Sequence, residues 1–259
     1  MIFEKVHDEY NIVCYWDNKK TGNTNGIPVE KPNSDRAFDI LFVATSHAEV
    51  DDQLMELGIP SNKINRYYID HPFEIRNNWL RCYAEFLDDM EIKGSVAEAG
   101  VYKGDFAIQI NRNFKDSVCY LFDTFQGFME EDVSVETEKN YSLAEIAQFS
   151  DTSEDFVLSR MPNRAKVKAV KGFFPQSALD KEINDLFMFV NLDMDLYQPT
   201  IEGLRFFSTR MVKYGVILVH DYFTKYEGIK KAVHNFLSER DDLQAIPVGD
   251  EMSIAIVGF

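Results

Sequence analysis

The stretch from Val96 to Asp105 constrains this chain more than any other. Val96 and Ala97 suit the end of a strand buried in a covered sheet. Gly100 and Gly104 follow. Lacking a Cβ, they let the backbone turn sharply and approach a ligand closely. Phe106, Ala107, Ile110 and Phe114 then share one helical face, so that helix points its N-terminal amides at the loop. The next apolar run, Val118 to Phe122, ends in Asp123. In a doubly wound sheet, an acid at the second strand tip, about 20 residues past a glycine turn, is placed to hold a ribose diol.

The rest of the chain alternates in the same way. Asn11 to Trp16 and Ile40 to Ala44 read as strands, the second one buried, and Lys19 to Gly26 as a polar turn. His47 to Leu57 has helical spacing, closed by Gly58 and Pro60. Residues 1–73 therefore form a small α/β unit, and 74–259 the main domain. Glu74 to Met90 is a helix with Trp79, Tyr83, Phe86 and Met90 at three- and four-residue spacing. A polar, acidic loop runs to about Thr137, and Asp151 with Glu154 caps a helix that ends at Arg160. Further strands are Lys166 to Lys171, Phe187 to Asp193 and Gly215 to Val219. Between the last two, Pro199 starts a helix whose inward face is Ile201, Leu204, Phe207 and Met211. A helix follows through Ile229, Ala232, Val233, Phe236 and Leu237. Gln244 to Val248 and Met252 to Val257 close the chain as a hairpin. Alternation of this kind predicts a parallel, doubly wound α/β sheet with an antiparallel hairpin at its edge.

The formal net charge of -16 argues against nucleic acid and against anionic membrane surfaces. Cys14, Cys82 and Cys119 show no metal spacing and read as reduced core thiols. With no leader and no membrane-spanning apolar run, a cytoplasmic protein is expected. Two more strand ends carry chemistry: Asp193, with Asp195 nearby, and His220-Asp221. All should open on the edge shared by Gly100 and Asp123. Carboxylates from neighbouring strand ends can converge on a hard cation such as Mg²⁺. Asp195 reads as a helix-capping or solvated acid. His220 fits a ligand, a base or a core histidine.

Taken together, Glu98 to Gly104, Asp123 to Gly127, Lys171 to Phe174, Leu192 to Tyr197 and Asp221-Tyr222 resemble, in order and spacing, the macrocin/mycinamicin-type sugar O-methyltransferases. The resemblance covers residues 75–259. It implies a class I S-adenosylmethionine-dependent methyltransferase with a seven-stranded, mainly parallel sheet and one reversed strand. It implies Glu98, Ala99, Gly100, Tyr102 and Gly104 around the methionine part of S-adenosylmethionine. Asp123 would take the ribose hydroxyls, with Thr124 and Phe125 near the adenosine. Ser153, Gly172 and Phe173 fall on the adenine side, and Asp193 adds an acid suited to a sulfonium cation. Asp193, His220 and Asp221 become the metal-binding and catalytic candidates, with Mg²⁺ as the cation. The family has two acids before the tyrosine where this chain has His220-Asp221. The first 70 residues resemble an accessory nucleotide-binding-like module of sugar-modifying enzymes, without the glycine turn that would bind a phosphate. They read as a packing or oligomerisation module.

The expected activity is methyl transfer to a sugar hydroxyl, in glycan or glycosylated-metabolite biosynthesis, by a homo-oligomer that neither binds nucleic acid nor inserts in a membrane. The alternatives are a catechol-like acceptor, or a non-catalytic binding subunit.

Overall fold

The computed structural model describes residues 2–45 and 48–259. His47, where the sequence opens a helix, lies outside the described residues. Contacts divide the chain into a unit ending at Glu74 and a unit of Ile75–Phe259.

In the first unit, Ile27–Glu30 pairs parallel with Tyr15–Trp16 and antiparallel with Gly22–Thr24, while Leu41–Phe42 pairs parallel with Ile64–Asn65. Helix Ala48–Glu56 packs Leu54 with Val43 and Ile59 in a small core. The strand expected over 11–16 shrinks to two residues, and that over 40–44 to a half-buried pair. The expected polar turn is instead a hairpin. Asn25 and Gly26 have φ of 55° and 79°, the left-handed pair that a two-residue turn between twisted strands requires.

The second unit is built on strands β1 Ser95–Ala99, β2 Cys119–Asp123, β3 Val167–Lys171, β4 Phe187–Leu192, β5 Met211–Val219, β6 Gln244–Pro247 and β7 Ile254–Val257. They form one sheet in the order β6-β7-β5-β4-β1-β2-β3. Strands β1 to β5 run parallel, and β7 is antiparallel to both β5 and β6. The expected seven-stranded fold with its reversed edge is present. All residues of β1 and β4 are buried, as strands covered on both faces must be. The helices are α1 Tyr67–Asp89, α2 Asp105–Asn113, α3 Glu130–Lys139, α4 Glu154–Arg160, α5 Gln176–Asp180, α6 Tyr197–Ser208 and α7 Glu227–Ser238.

Several expectations are corrected. Helix α1 starts at Tyr67, and in the second unit its buried face is Arg76, Leu80, Ala84 and Leu87. Trp79, Tyr83 and Phe86 form a second, outward aromatic stripe, in which Trp79 and Tyr83 stack at 5.0 Å. Phe86 and Met90 are exposed. The acidic loop contains helix α3. Helix α4 is capped by Ser153, whose hydroxyl accepts from the Phe156 amide, and not by Asp151. Met211 begins β5 rather than ending α6. Of the three cysteines only Cys119 is core; Cys14 is half-buried and Cys82 exposed. No helix among the described residues is long and apolar enough to cross a membrane.

Candidate active site

The sheet order reverses between β1 and β4, and the strand tips there are tied together by backbone bonds that extend the ladders. The Gly100 amide donates to Phe122 O, Gly172 to Asp123 O, Asp193 to Ala99 O and His220 to Leu192 O. This brings the chemistry-bearing residues of all five parallel strands to one edge. Gly100 has φ +83°, and a Cβ there would run into the backbone carbonyl of Asp193. The close approach of the two tips therefore requires glycine.

Above this edge lies an open cleft. Of the expected cofactor-binding residues, Gly100, Tyr102, Asp123, Thr124, Gly172, Phe173 and Asp193 line it. Glu98, Ala99, Gly104, Phe125 and Ser153 are not among the lining residues. Glu98 is buried below, with Oε1 accepting from Asn191 Nδ2 at 2.8 Å. Burial, reinforced by the Asp193 carboxylate, pushes its carboxyl well above the usual range. Gly104 precedes α2 with φ 82°. Phe125 is buried with φ 53°, and its amide donates to Asp123 Oδ1 at 2.7 Å.

Asp123 Oδ2 accepts from the Val101 and Tyr102 amides at 2.7 and 2.9 Å. Three of the roughly four acceptor sites of a carboxylate are thus engaged by backbone. Asp123 both folds the glycine loop and keeps about one site for a ligand hydroxyl. The loop is also latched from the other side. Tyr102 Oη donates to Asp151 Oδ1 at 2.8 Å, and Lys103 Nζ to Asp151 Oδ2 at 2.7 Å. The aromatic rings of Tyr102, Phe149 and Phe128 meet edge to face in sequence.

Asp193, His220 and Asp221 converge as expected of neighbouring strand ends. His220 Nδ1 lies 3.0 Å from Asp193 Oδ1 and 3.3 Å from Asp221 Oδ2, yet makes no well-aligned hydrogen bond among the described residues. Burial opposes a charge on this ring, but the Asp193 and Asp221 carboxylates outweigh it and raise His220 to about 9. In turn His220, against the effect of burial, holds Asp221 at about 2. Donors in adjacent positions around a cation at about 2.1 Å stand roughly 3.0 Å apart, so two carboxylates and an imidazole at these spacings could hold a divalent cation. Leu196 holds the cap position, so Asp195 is not a helix cap. It lines the cleft, and burial together with Asp221 and Asp193 pushes its carboxyl well above the usual range.

The sequence reading missed Arg76. It is 7% exposed, its Cζ lies 4.2 Å from the Phe106 ring centre, and its Nη1 lies 3.6 Å from Asp193 Oδ2. The signal was available, since Arg76 is in helical phase with Leu80 and Leu87. Phe128, Met129, Asp132 and Phe149 also line the cleft, with no comparable pattern in the sequence to announce them.

The family model of the macrocin-O-methyltransferases (TylF) matches residues 75–254. Among solved structures, the O-methyltransferase NovP is 22% identical, covering 70% of this chain and 78% of that one, with a TM-score of 0.56. The calicheamicin methyltransferase CalS11 is 16% identical, covering 84% and 95%, with a TM-score of 0.59; a second, apo structure describes CalS11 as a TDP-rhamnose 3′-O-methyltransferase. At such identities the likeness is one of fold. No curated protein matches the chain. A family match over most of the sequence, on a sheet of this order with a glycine loop and acids at its switch point, makes the chain a member of the macrocin-O-methyltransferase (TylF) family, an S-adenosylmethionine-dependent O-methyltransferase.

Proposed function

We propose that the protein methylates a hydroxyl of a sugar, with a divalent cation, Mg²⁺ by preference, held by Asp193, His220 and Asp221. The observation that carries this reading is the convergence of those three side chains beside the cleft, with Nδ1 of His220 buried and short of an aligned partner. S-adenosylmethionine supplies an electrophilic methyl group on a sulfonium, which favours the anionic cleft. Asp123 and the glycine loop hold the cofactor by its ribose and methionine parts, and Phe173 covers the adenine side. Methyl transfer is an in-line displacement, so the chain contributes mainly orientation. A sugar hydroxyl is a weak nucleophile at neutral pH, and a cation held at Asp193 would polarise it and lower its pKa. Arg76 braces Oδ2 of Asp193 and leaves Oδ1 facing His220. The sugar acceptor is supported by the family and by CalS11, a TDP-rhamnose 3′-O-methyltransferase of the same fold.

A second reading has its own support. Arg76 and a charged His220 balance Asp193 and Asp221 without any metal. In that case His220 takes the acceptor proton. It is neutral only above about 9, so activity would climb with pH up to that value.

Chelation separates the two. With S-adenosylhomocysteine release as the assay, activity should vanish in excess chelator and return with Mg²⁺. Asp193→Asn should lose on the order of a hundredfold in turnover while cofactor affinity changes little. Full activity in chelator, rising towards pH 9, would remove the metal and leave the base.

A further inference from the structure

Asp132 is the cleft residue that the machinery described so far does not use. It sits in the first turn of α3, lines the cleft beside Met129, and is 7% exposed. Its Oδ1 is buried with no hydrogen-bond partner among the described residues. Burial, with Glu131 and Glu136 adding to it, pushes the carboxyl up to about 7. An unpartnered buried acid beside two like charges costs stability, and a chain retains such a group where a ligand completes its bonds.

The other acids of the cleft are already engaged. Asp123 accepts three backbone amides, Asp193 meets Arg76 and His220, and Asp195 neighbours Asp221. The lining holds four aspartates, Asp123, Asp132, Asp193 and Asp195, and neither lysine nor arginine. Their carboxyl oxygens accept hydrogen bonds from hydroxyl donors. Phe128 and Phe149 add apolar faces of the kind that pack against the C–H faces of a saccharide.

We infer that Asp132 is a specificity-determining residue whose carboxylate accepts a hydrogen bond from an acceptor hydroxyl. This rests on the sugar reading above.

The test uses the full chain and its Asp132→Ala and Asp132→Asn variants, with methyl glycosides and catechol as probes. Asp132→Ala should raise the glycoside KM by about tenfold or more, as loss of a charged hydrogen bond implies, with a smaller change in kcat. Asp132→Asn keeps an acceptor oxygen and should show a smaller rise in KM. Calorimetry should find S-adenosylhomocysteine affinity unchanged in both variants. Thermal midpoints should match or exceed the wild type, because an unpaired buried acid has gone; a purely structural role would lower them. An unchanged KM in Asp132→Ala, or a lowered midpoint with weakened cofactor binding, would overturn the inference. Methylation of catechol and of no sugar would defeat the sugar reading instead, and the Asp132→Ala KM ratio measured on catechol would then decide the residue's role.

Discussion

At the scale of single residues, Asp123 does two jobs that a sequence reading sees as one. Its position after a buried strand marks it as a ribose-binding acid. Its contacts make it also the clamp of the glycine loop, through the amides of Val101, Tyr102 and Phe125. An asparagine cannot serve both sides. If its oxygen faces the Val101 and Tyr102 amides, its NH₂ meets the Phe125 N–H donor to donor. Asp123→Asn should therefore lower stability by about 1–3 kcal/mol as well as weaken cofactor binding. Denaturant unfolding and calorimetry on the same preparation check this; a loss of affinity with unchanged stability would show that the clamp is dispensable. Asp123 and Gly100 were legible because strand-end acids and turn glycines have fixed places in a doubly wound sheet. Arg76 was harder to find, because its burial depends on Asp193, a partner more than a hundred residues away.

At the scale of elements, α3 shows how tertiary contacts override a polar sequence. Glu130 to Lys139 lacks an apolar stripe, and its charge predicts a loop. The helix is secured by Glu136, which is 1% exposed. One of its oxygens accepts the Tyr197 amide at 2.7 Å and the other the Ser142 hydroxyl at 2.6 Å. Helix α6 has no cap of its own at Leu196, so Glu136 satisfies its first turn from a distance. Glu136→Ala leaves the Tyr197 N–H unpaired and should cost about 1–3 kcal/mol. Hydrogen exchange should quicken in 130–139 and in the first turn of α6, while β1 and β4 stay protected; uniform loss of protection across the sheet would contradict a local anchor. Helix α1 carries the same lesson in reverse. It presents two apolar stripes, and periodicity alone does not say which one the sheet will cover.

At the scale of the whole molecule, the contact boundary at Glu74 falls inside one continuous helix, Tyr67–Asp89. A chain beginning at Ile75 would leave Arg76 in a frayed first turn, where it could not brace Asp193. A chain beginning at Asn65 keeps the whole helix and the side-chain oxygen that accepts the Tyr67 amide. The chain from Asn65 should keep turnover within about threefold of the full chain, while the chain from Ile75 should lose at least about tenfold in turnover, a difference of one charged contact, with S-adenosylmethionine affinity little changed in either. Equal turnover in the two would refute the bracing role of Arg76. By itself the sequence determined the α/β alternation, the reversed edge, the glycine loop and the acids at the strand ends, because each rests on local periodicity or on a backbone demand that few residues can meet. The tertiary structure alone decided which face of α1 is buried, that an acidic segment becomes a helix, that His220 lies between two aspartates, and that Asp132 is enclosed with one oxygen unpartnered among the described residues. Each of these depends on groups far apart in the chain, whose burial and charge exist only once the sheet has brought them together.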